Sequence, residues 1–197
     1  MKGCTIFIVL AMAWVGCKQK SGKPASLHTL ADTASFYPIA NFIHEQIEEA
    51  DVSNLPRTFR YSSNQKTSFH SIGRDSFLLF CGQFESLLTQ FSSQKQLYKE
   101  SILHDLSTSS YTLTYQPHQA EQAAFEYADI LLNDVNRQIK RINIQRSFEL
   151  GDTSVNEHLS WRTNKGFLIS RTKTDKAGTA STEVIEVSWE PKKNNPL

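Results

Sequence analysis

The chain has 197 residues, 39% of them hydrophobic and 21% charged, and its 21 basic and 20 acidic residues give a formal charge of 21 − 20 = +1. Only 8 glycines and 6 prolines exclude a collagen-like or linker-like chain, and 11% aromatic residues at near-neutral charge exclude a disordered one. The small net charge also disfavours a nucleic-acid partner, because it provides no bulk attraction to phosphate.

The N-terminus has the pattern of an export signal. One cation, Lys2, precedes an uncharged and mainly apolar run from Cys4 to Val15. This run is too short to cross a bilayer core, which needs ~20 residues, but its length is typical of the apolar region of a signal peptide. We therefore predict that the first residues direct export and do not form a membrane-spanning helix.

The apolar run ends in Val15-Gly16-Cys17, which resembles the lipobox of bacterial lipoproteins. The resemblance implies that residues 1–16 are removed and that Cys17 receives a thioether-linked diacylglycerol, so that the membrane is a partner. The chain is similar to lipoproteins of the Bacteroidota, in which an acidic cluster close to that cysteine marks export to the cell surface. In lipoproteins of other bacteria, an Asp directly after the cysteine often marks retention in the inner membrane. No acidic residue follows Cys17 closely, so the resemblance implies the periplasmic face of the outer membrane.

Residues 17–34 form the predicted tether, which has no periodic pattern of apolar residues. Its lysines, Lys18, Lys20 and Lys23, either attract anionic lipid headgroups or only solvate the linker, and the sequence leaves both open. The folded part is predicted to be a single domain over residues 35–197. It carries 17 basic and 19 acidic residues, so its charge is 17 − 19 = −2.

The domain is predicted to begin with helices. Ser35 can cap the first helix, Pro38 fits its first turn, and Leu55-Pro56 ends it. An apolar face recurs at helical spacing: Phe36, Ile39, Ile43, Ile47 and Ala50. Residues 57–72 form either a weak hairpin or a loop.

A second helix is predicted from Phe77 to Phe91, with Asp75 as its cap, and a shorter third helix from about Gln94 to Leu106. The second helix has one apolar stripe: Phe77, Cys81, Phe84, Leu88 and Phe91. Cys81 would be the one thiol left after loss of Cys4 and acylation of Cys17, so no internal disulfide is expected. Its place on the apolar stripe favours packing over a catalytic role.

From about residue 109 to 190 the apolar period changes to two, which predicts half-buried strands separated by short turns. Short connections allow only antiparallel neighbours, because a parallel crossover needs a dozen residues or more. The sequence therefore predicts an α+β domain in which helices, extending to about residue 106, pack on one face of a five- or six-stranded antiparallel meander.

Four short stretches also resemble a set of uncharacterised Bacteroidota lipoproteins. They are the Phe36–Ile39 helix start, the strand Tyr111–Tyr115 leading to Gln116-Pro117, the hairpin Trp161–Lys165 and the closing segment Glu186–Trp189. This resemblance implies no activity.

The standard catalytic motifs for hydrolases, nucleotide binding and zinc proteases are missing from the sequence. His44 and Glu48 are one helical turn apart and resemble half of a metal site, but a second histidine is lacking. They are better explained as the solvated face of an amphipathic helix. We therefore expect no metal and no cofactor, and a non-enzymatic protein is favoured over an envelope hydrolase.

A candidate binding surface follows from the alternation of the strands. If the apolar residues face the helices, the opposite face carries five polar residues: Arg141, Asn143, His158, Arg162 and Glu186. Such a surface is suited to an anionic or glycan-like ligand, although antiparallel sheets often keep one face simply solvated. Alternatively, an apolar or lipid-like ligand would lie between sheet and helices, lined by Trp161, Trp189 and Phe148. The sequence thus predicts a lipid-anchored module that binds an envelope protein or a small ligand.

Overall fold

The computed structural model describes residues 36–53, 55–64 and 66–189, which belong to one compact unit. The predicted signal peptide, Cys17, the tether and the Ser35 cap lie outside the described residues. Within these ranges, no helix combines the length and the apolar character that crossing a bilayer requires.

Helix α1 spans Ile39–Val52, so it begins four residues after the predicted Ser35 cap, and Pro38 occupies the N-cap position. The predicted apolar positions within it are all buried: Ile39, Ile43, Ile47 and Ala50. After the helix ends, Arg57 Nη2 donates hydrogen bonds to the carbonyl oxygens of Ala50 and Asp51. A cation at this end of a helix is favourable, because the last carbonyl groups have no partner within the helix.

Two strands, β1 (Thr58–Ser63) and β2 (Lys66–Ser71), form a hairpin in the segment predicted as either hairpin or loop. Helix α2 then spans Arg74–Ser93 and confirms the predicted second helix. Its N-cap is Gly73 and Asp75 lies inside the first turn, so the predicted cap is wrong. Its predicted apolar stripe is buried: Phe77, Cys81, Phe84, Leu88 and Phe91.

The third helix, predicted from about Gln94 to Leu106, is wrong. A short 3₁₀ turn at Lys95–Leu97 leads into strand β3, Tyr98–Asp105. Two inward positions of β3 are polar: Glu100 lies directly opposite Tyr115, and His104 stacks on Tyr111 with ring centroids 4.0 Å apart. These polar residues hide the alternation that identifies a strand.

The remaining strands complete the sheet: β4 (Ser110–Pro117), β5 (Tyr127–Asn133), β6 (Ile139–Leu150), β7 (Thr153–Arg162), β8 (Gly166–Thr174) and β9 (Ala180–Ser188). The strand order is β2-β1-β9-β8-β7-β6-β5-β4-β3, and every neighbouring pair is antiparallel. Strands β3 to β9 form a continuous meander. The β1–β2 hairpin joins the far edge by pairing β1 with β9.

The predicted α+β fold with a five- or six-stranded meander is therefore wrong. The described residues form one nine-stranded sheet and two α-helices, with 49% of residues in strands and 26% in helices, so the fold is mostly sheet. The extra strands come from two places: the segment predicted as a third helix becomes β3, and the segment at 57–72 contributes β1 and β2.

Both helices pack against one face of the sheet, which we call the inner face, and the opposite face is the outer face. Helix α2 crosses the strands diagonally: Phe77 contacts Trp189 next to β9, Phe84 contacts Trp161 on β7, and Phe91 contacts Tyr115 on β4, with centroid distances of 5.2–5.3 Å. These aromatic contacts join the helix and the sheet in one hydrophobic core.

Candidate functional site

All five polar residues predicted to share one face lie on strands whose inward neighbours are buried. Those inward neighbours are Ile142, Ile144, Leu159, Trp161, Ile185 and Val187. Side chains alternate between the two faces of a strand, so the five predicted residues lie on the outer face. They are fully or partly exposed there, on strands β6, β7 and β9.

Three charged groups of the outer face are connected. Glu186 accepts a hydrogen bond from Arg162 Nη2 at 3.0 Å and another from Arg60 Nε at 2.8 Å. Arg60 lies on β1, directly opposite Glu186 in the antiparallel register. Arg60 was not among the predicted site residues, because no local pattern indicates that residues 57–72 pair with the last strand.

Arg141 extends this group on its other side. In the register of β6 and β7, Arg141 lies directly opposite Arg162. Two like charges in this position destabilise a sheet. Glu186 is thus paired with Arg60 and Arg162, and Arg141 lies beyond Arg162 on the next strand. We call these four residues the arginine patch.

The other two predicted residues are placed differently. Asn143 Oδ1 accepts a hydrogen bond from Ser160 at 2.8 Å, which fixes its side chain within the sheet surface. His158 is exposed and lies opposite Gln145 and Ser170, one row of side chains away from Ser160. The structure thus brings Arg162 and Glu186 into contact and places Arg141 opposite Arg162, while Asn143 and His158 remain beside the arginine patch.

The aromatic residues considered for an apolar ligand do not line one common surface. Trp161 and Trp189 are buried and lie 5.4 Å from each other, and both contact Phe167. Phe148 lies farther along β6, where the guanidinium of Arg146 covers its ring at 4.9 Å. The two tryptophans therefore pack in the core, apart from Phe148.

A row of charged residues that was not predicted from the sequence crosses the inner face. Arg146, Glu157, Arg171 and Glu183 lie directly opposite one another on β6, β7, β8 and β9. We call this row the charge ladder. It is visible in the sequence only as a glutamate at an inward position of β7, because its partners come from other strands.

Glu157 is the centre of the charge ladder and is fully buried. Arg146 Nε and Arg171 Nε donate to its two carboxylate oxygens at 2.6 Å each. Arg171 also donates to Gln83 of helix α2 and to Glu183, and Glu183 pairs with Lys173 at 3.2 Å. Both oxygens of the buried carboxylate are thus paired with arginines. Such pairing is needed because the removal of an unpaired charge from water costs a large amount of free energy.

Cys81 is confirmed as a packing residue of the core. It is fully buried on the inward face of α2, and burial raises the pKa of its thiol. Because the reactive form of cysteine is the thiolate, this environment makes the side chain unreactive.

His44 and Glu48, which resemble half of a metal site, lie on the solvated face of α1, where 61% and 67% of their side chains are exposed. His44 Nδ1 lies 2.9 Å from Glu85 Oε1 on α2, and His44 Nε2 lies 3.3 Å from Glu48 Oε1. No group of three or more side chains in the described ranges has the arrangement of a metal site.

We predict that His44 titrates above its ordinary value. The hydrogen bond with Glu85 raises the pKa of His44, and the charge of Glu48 raises it further. Since the folded-state pKa exceeds the unfolded value of about 6.5, the stabilising effect is complete below that pH and is lost as pH rises through the folded pKa. Titration of the His44 ring by NMR measures the shift.

The control for this titration compares two glutamates. Glu85→Gln is expected to return the pKa of His44 toward its ordinary value, while Glu45→Gln should change it much less, because the charge of Glu45 is the weakest of the contributions. Equal effects of the two substitutions would contradict the proposed hydrogen bond between the helices.

No family model, curated protein or solved structure matches this chain.

Proposed function

We propose that this protein is a lipid-anchored, non-enzymatic binding module of the bacterial envelope, and that the arginine patch binds an anionic, glycan-like ligand. Attachment through Cys17 is supported by the lipobox-like sequence Val15-Gly16-Cys17 after a short apolar run. Residues 18–34 would then act as a tether between the membrane and the folded domain. The location on the periplasmic face of the outer membrane is part of the same proposal.

The observation that supports the ligand class is the direct opposition of Arg141 and Arg162. Glu186 already accepts hydrogen bonds from Arg162 and Arg60, so it cannot fully compensate the third guanidinium. A bound carboxylate or phosphate group relieves the repulsion and accepts charge-assisted hydrogen bonds from both opposed arginines. Neighbouring polar groups, such as Asn143 and His158, are suited to hydroxyl groups of a glycan.

The binding proposal is tested with a set of uronate-containing and phosphorylated oligosaccharides and their neutral counterparts. We expect the purified protein to bind the anionic members more tightly. The double substitution Arg141→Gln and Arg162→Gln should weaken that binding roughly tenfold or more, because each charge-assisted hydrogen bond contributes about 1.5–3 kcal/mol. Binding is measured by titration calorimetry at low salt.

A matched control separates this effect from a general loss of positive charge. Lys176 is 74% exposed and pairs with Asp152, away from the arginine patch. Lys176→Gln should leave ligand binding unchanged. Equal binding of neutral and anionic oligosaccharides, or an unaffected double variant, would exclude the arginine patch as the binding surface.

The anchor is tested separately. Mass spectrometry of the protein from bacterial membranes is expected to show Cys17 as an acylated N-terminal residue, and Cys17→Ser should release the protein from the membrane fraction. An intact Met1 or an unmodified Cys17 in membrane-derived protein would contradict the anchor.

A further inference from the structure

A groove runs along one side of helix α2, on the inner face of the sheet and away from the arginine patch. Its volume is about 480 Å³, which is within the range of small-molecule sites. Leu78 and Leu79 provide apolar surface, and Arg146 on β6 provides the one charged group among the lining residues. Leu79 is 72% exposed, so its side chain is accessible to a ligand in the groove.

Gly82 forms part of this groove in the middle of α2. Glycine is unfavourable inside a helix relative to alanine, because it loses more conformational freedom on folding. A Cβ atom at this position would meet nothing within 4 Å, so packing against a neighbour does not require the glycine. Its effect is to keep the middle of the groove open.

Arg146 lies at the groove with part of its hydrogen-bonding capacity unused. Its Nε donates to Glu157, and within the described part of the chain its two terminal nitrogens have no hydrogen-bond partner. The bond to the buried Glu157 and the contact with the Phe148 ring hold the guanidinium in place. The free edge of the guanidinium is therefore preorganised to bind a carboxylate with two parallel hydrogen bonds.

The charge of the surrounding residues supports an anionic ligand. The charge ladder and Lys173 together contain three basic and two acidic side chains, which gives 3 − 2 = +1. Because Glu157 is shared between Arg146 and Arg171, it compensates neither of them completely. An anion at the free edge of Arg146 completes the pairing.

We propose that this groove binds a long-chain carboxylate, a fatty acid or a close analogue, with its head group on Arg146 and its chain along Leu78 and Leu79. The lining residues of α2 extend from Leu78 to Gln90, roughly 18 Å at the helical rise, and this length suits a single extended acyl chain. The proposal does not depend on the function proposed above, because the two sites lie on opposite faces of the sheet.

The experiment titrates the purified protein with dodecanoate below its micellar concentration. Dodecyltrimethylammonium serves as a probe with the opposite charge, and acetate as one without the chain. We expect dodecanoate to bind roughly tenfold more tightly than either of them, since it alone satisfies both Arg146 and the apolar wall. Arg146→Gln should remove the preference for dodecanoate over dodecyltrimethylammonium.

The substitution Gly82→Phe tests the apolar part without changing the charge ladder. It fills the groove and should weaken dodecanoate binding roughly tenfold or more, because the chain then has no space. Ser76→Phe, at an exposed position of the same helix outside the groove, is the matched control and should leave binding unchanged. The double substitution Arg141→Gln and Arg162→Gln should also have no effect, which separates this proposal from the arginine patch.

Two results would overturn the proposal. One is equal affinity for dodecanoate and dodecyltrimethylammonium, which would show that Arg146 does not recognise the head group. The other is dodecanoate binding that persists in Gly82→Phe, which would assign that binding to another apolar segment of the chain.

Discussion

Replacing Glu157 by glutamine is expected to lower the free energy of unfolding by about 3 kcal/mol. Glu157 is fully buried and accepts short hydrogen bonds from Arg146 and Arg171. Without its charge, two guanidinium groups remain close together with no carboxylate between them. The side chains of Arg146 and Arg171 are 29% and 20% exposed, so water offsets part of this cost and the lower end of the usual range applies. Urea unfolding followed by circular dichroism measures the loss.

The matched control is Glu183→Gln at the end of the same charge ladder. Glu183 is 20% exposed and pairs with Arg171 and Lys173. Removal of the Glu183 charge should lower the free energy of unfolding by only about 1 kcal/mol, because Arg171 keeps Glu157 as a partner and Lys173 is partly solvated. If Glu183→Gln were as destabilising as Glu157→Gln, burial would not explain the role of Glu157.

A triple variant separates the cost of an unpaired charge from the net value of the pairing. Arg146→Met, Glu157→Leu and Arg171→Met together replace the buried group by apolar side chains of similar size. We expect this variant to be within about 1 kcal/mol of the natural protein, although Glu157→Gln alone is strongly destabilised. A triple variant less stable than Glu157→Gln would show that the ion pairs themselves stabilise the fold.

The charge ladder shows what the sequence alone can indicate about the inner face. The alternation around Val155, Leu159 and Trp161 correctly predicted which side of β7 is buried. Glu157 falls on that buried side, and its partners lie on β6 and β8, 11 and 14 residues away. Sequence periodicity describes one strand at a time, so it reveals an inward glutamate but not the two arginines that neutralise it.

The fold could be predicted where the pattern is local and regular. The buried stripe of α2 and the strands of the C-terminal half have clear apolar periods, and the structure confirms them. Strand β3 was missed because Glu100 and His104 face inward while Leu103, 64% exposed, faces outward. That arrangement inverts the usual pattern, and it is stabilised by contacts with β4 that no local rule contains.

The face on which the candidate site lies could be predicted from the sequence, but the contacts within the site could not. Alternation placed Arg141, Arg162 and Glu186 on one face, and short turns implied that β6 and β7 are neighbours. The exact opposition of Arg141 and Arg162 depends on the register of the hairpin, which side-chain periodicity alone does not determine. Arg60 could not be predicted as part of the site, because its contact with Glu186 joins residues that are 126 positions apart in the sequence.

Gly166→Ala is expected to destabilise the protein by about 3 kcal/mol. Gly166 opens β8, and its φ of +147° lies in a region that residues with a side chain rarely adopt. A Cβ atom there would overlap the carbonyl oxygen of Val187 and lie 2.9 Å from Ser188 Cα. Both obstacles are backbone atoms of β9, so no side-chain rotation relieves the clash and the two strands must separate.

The matched control is Gly151→Ala in the β6–β7 turn. Gly151 also has a positive φ, +62°, but a Cβ atom there would meet nothing within 4 Å. Gly151→Ala is therefore expected to lower the free energy of unfolding by only about 1 kcal/mol, which is the cost of a positive φ for a residue with a side chain. Urea unfolding of the two variants thus measures the clash separately from the cost of the positive φ. Equal losses would contradict the close approach of β8 and β9.

Gly166 lies at a point of the sheet where a movement of the strands affects both the core and the arginine patch. Gly166 lies opposite Arg162 on β7 and Ser188 on β9, next to the strand position of Glu186. Moving β9 away from β8 therefore also changes the spacing of Arg162 and Glu186 on the outer face. On the inner face the same movement disturbs Trp189, whose backbone N–H donates to Lys165 at 3.0 Å. We expect Gly166→Ala to shift the tryptophan fluorescence of the folded protein and, together with it, to weaken the proposed binding of anionic ligands, whereas Gly151→Ala should change neither.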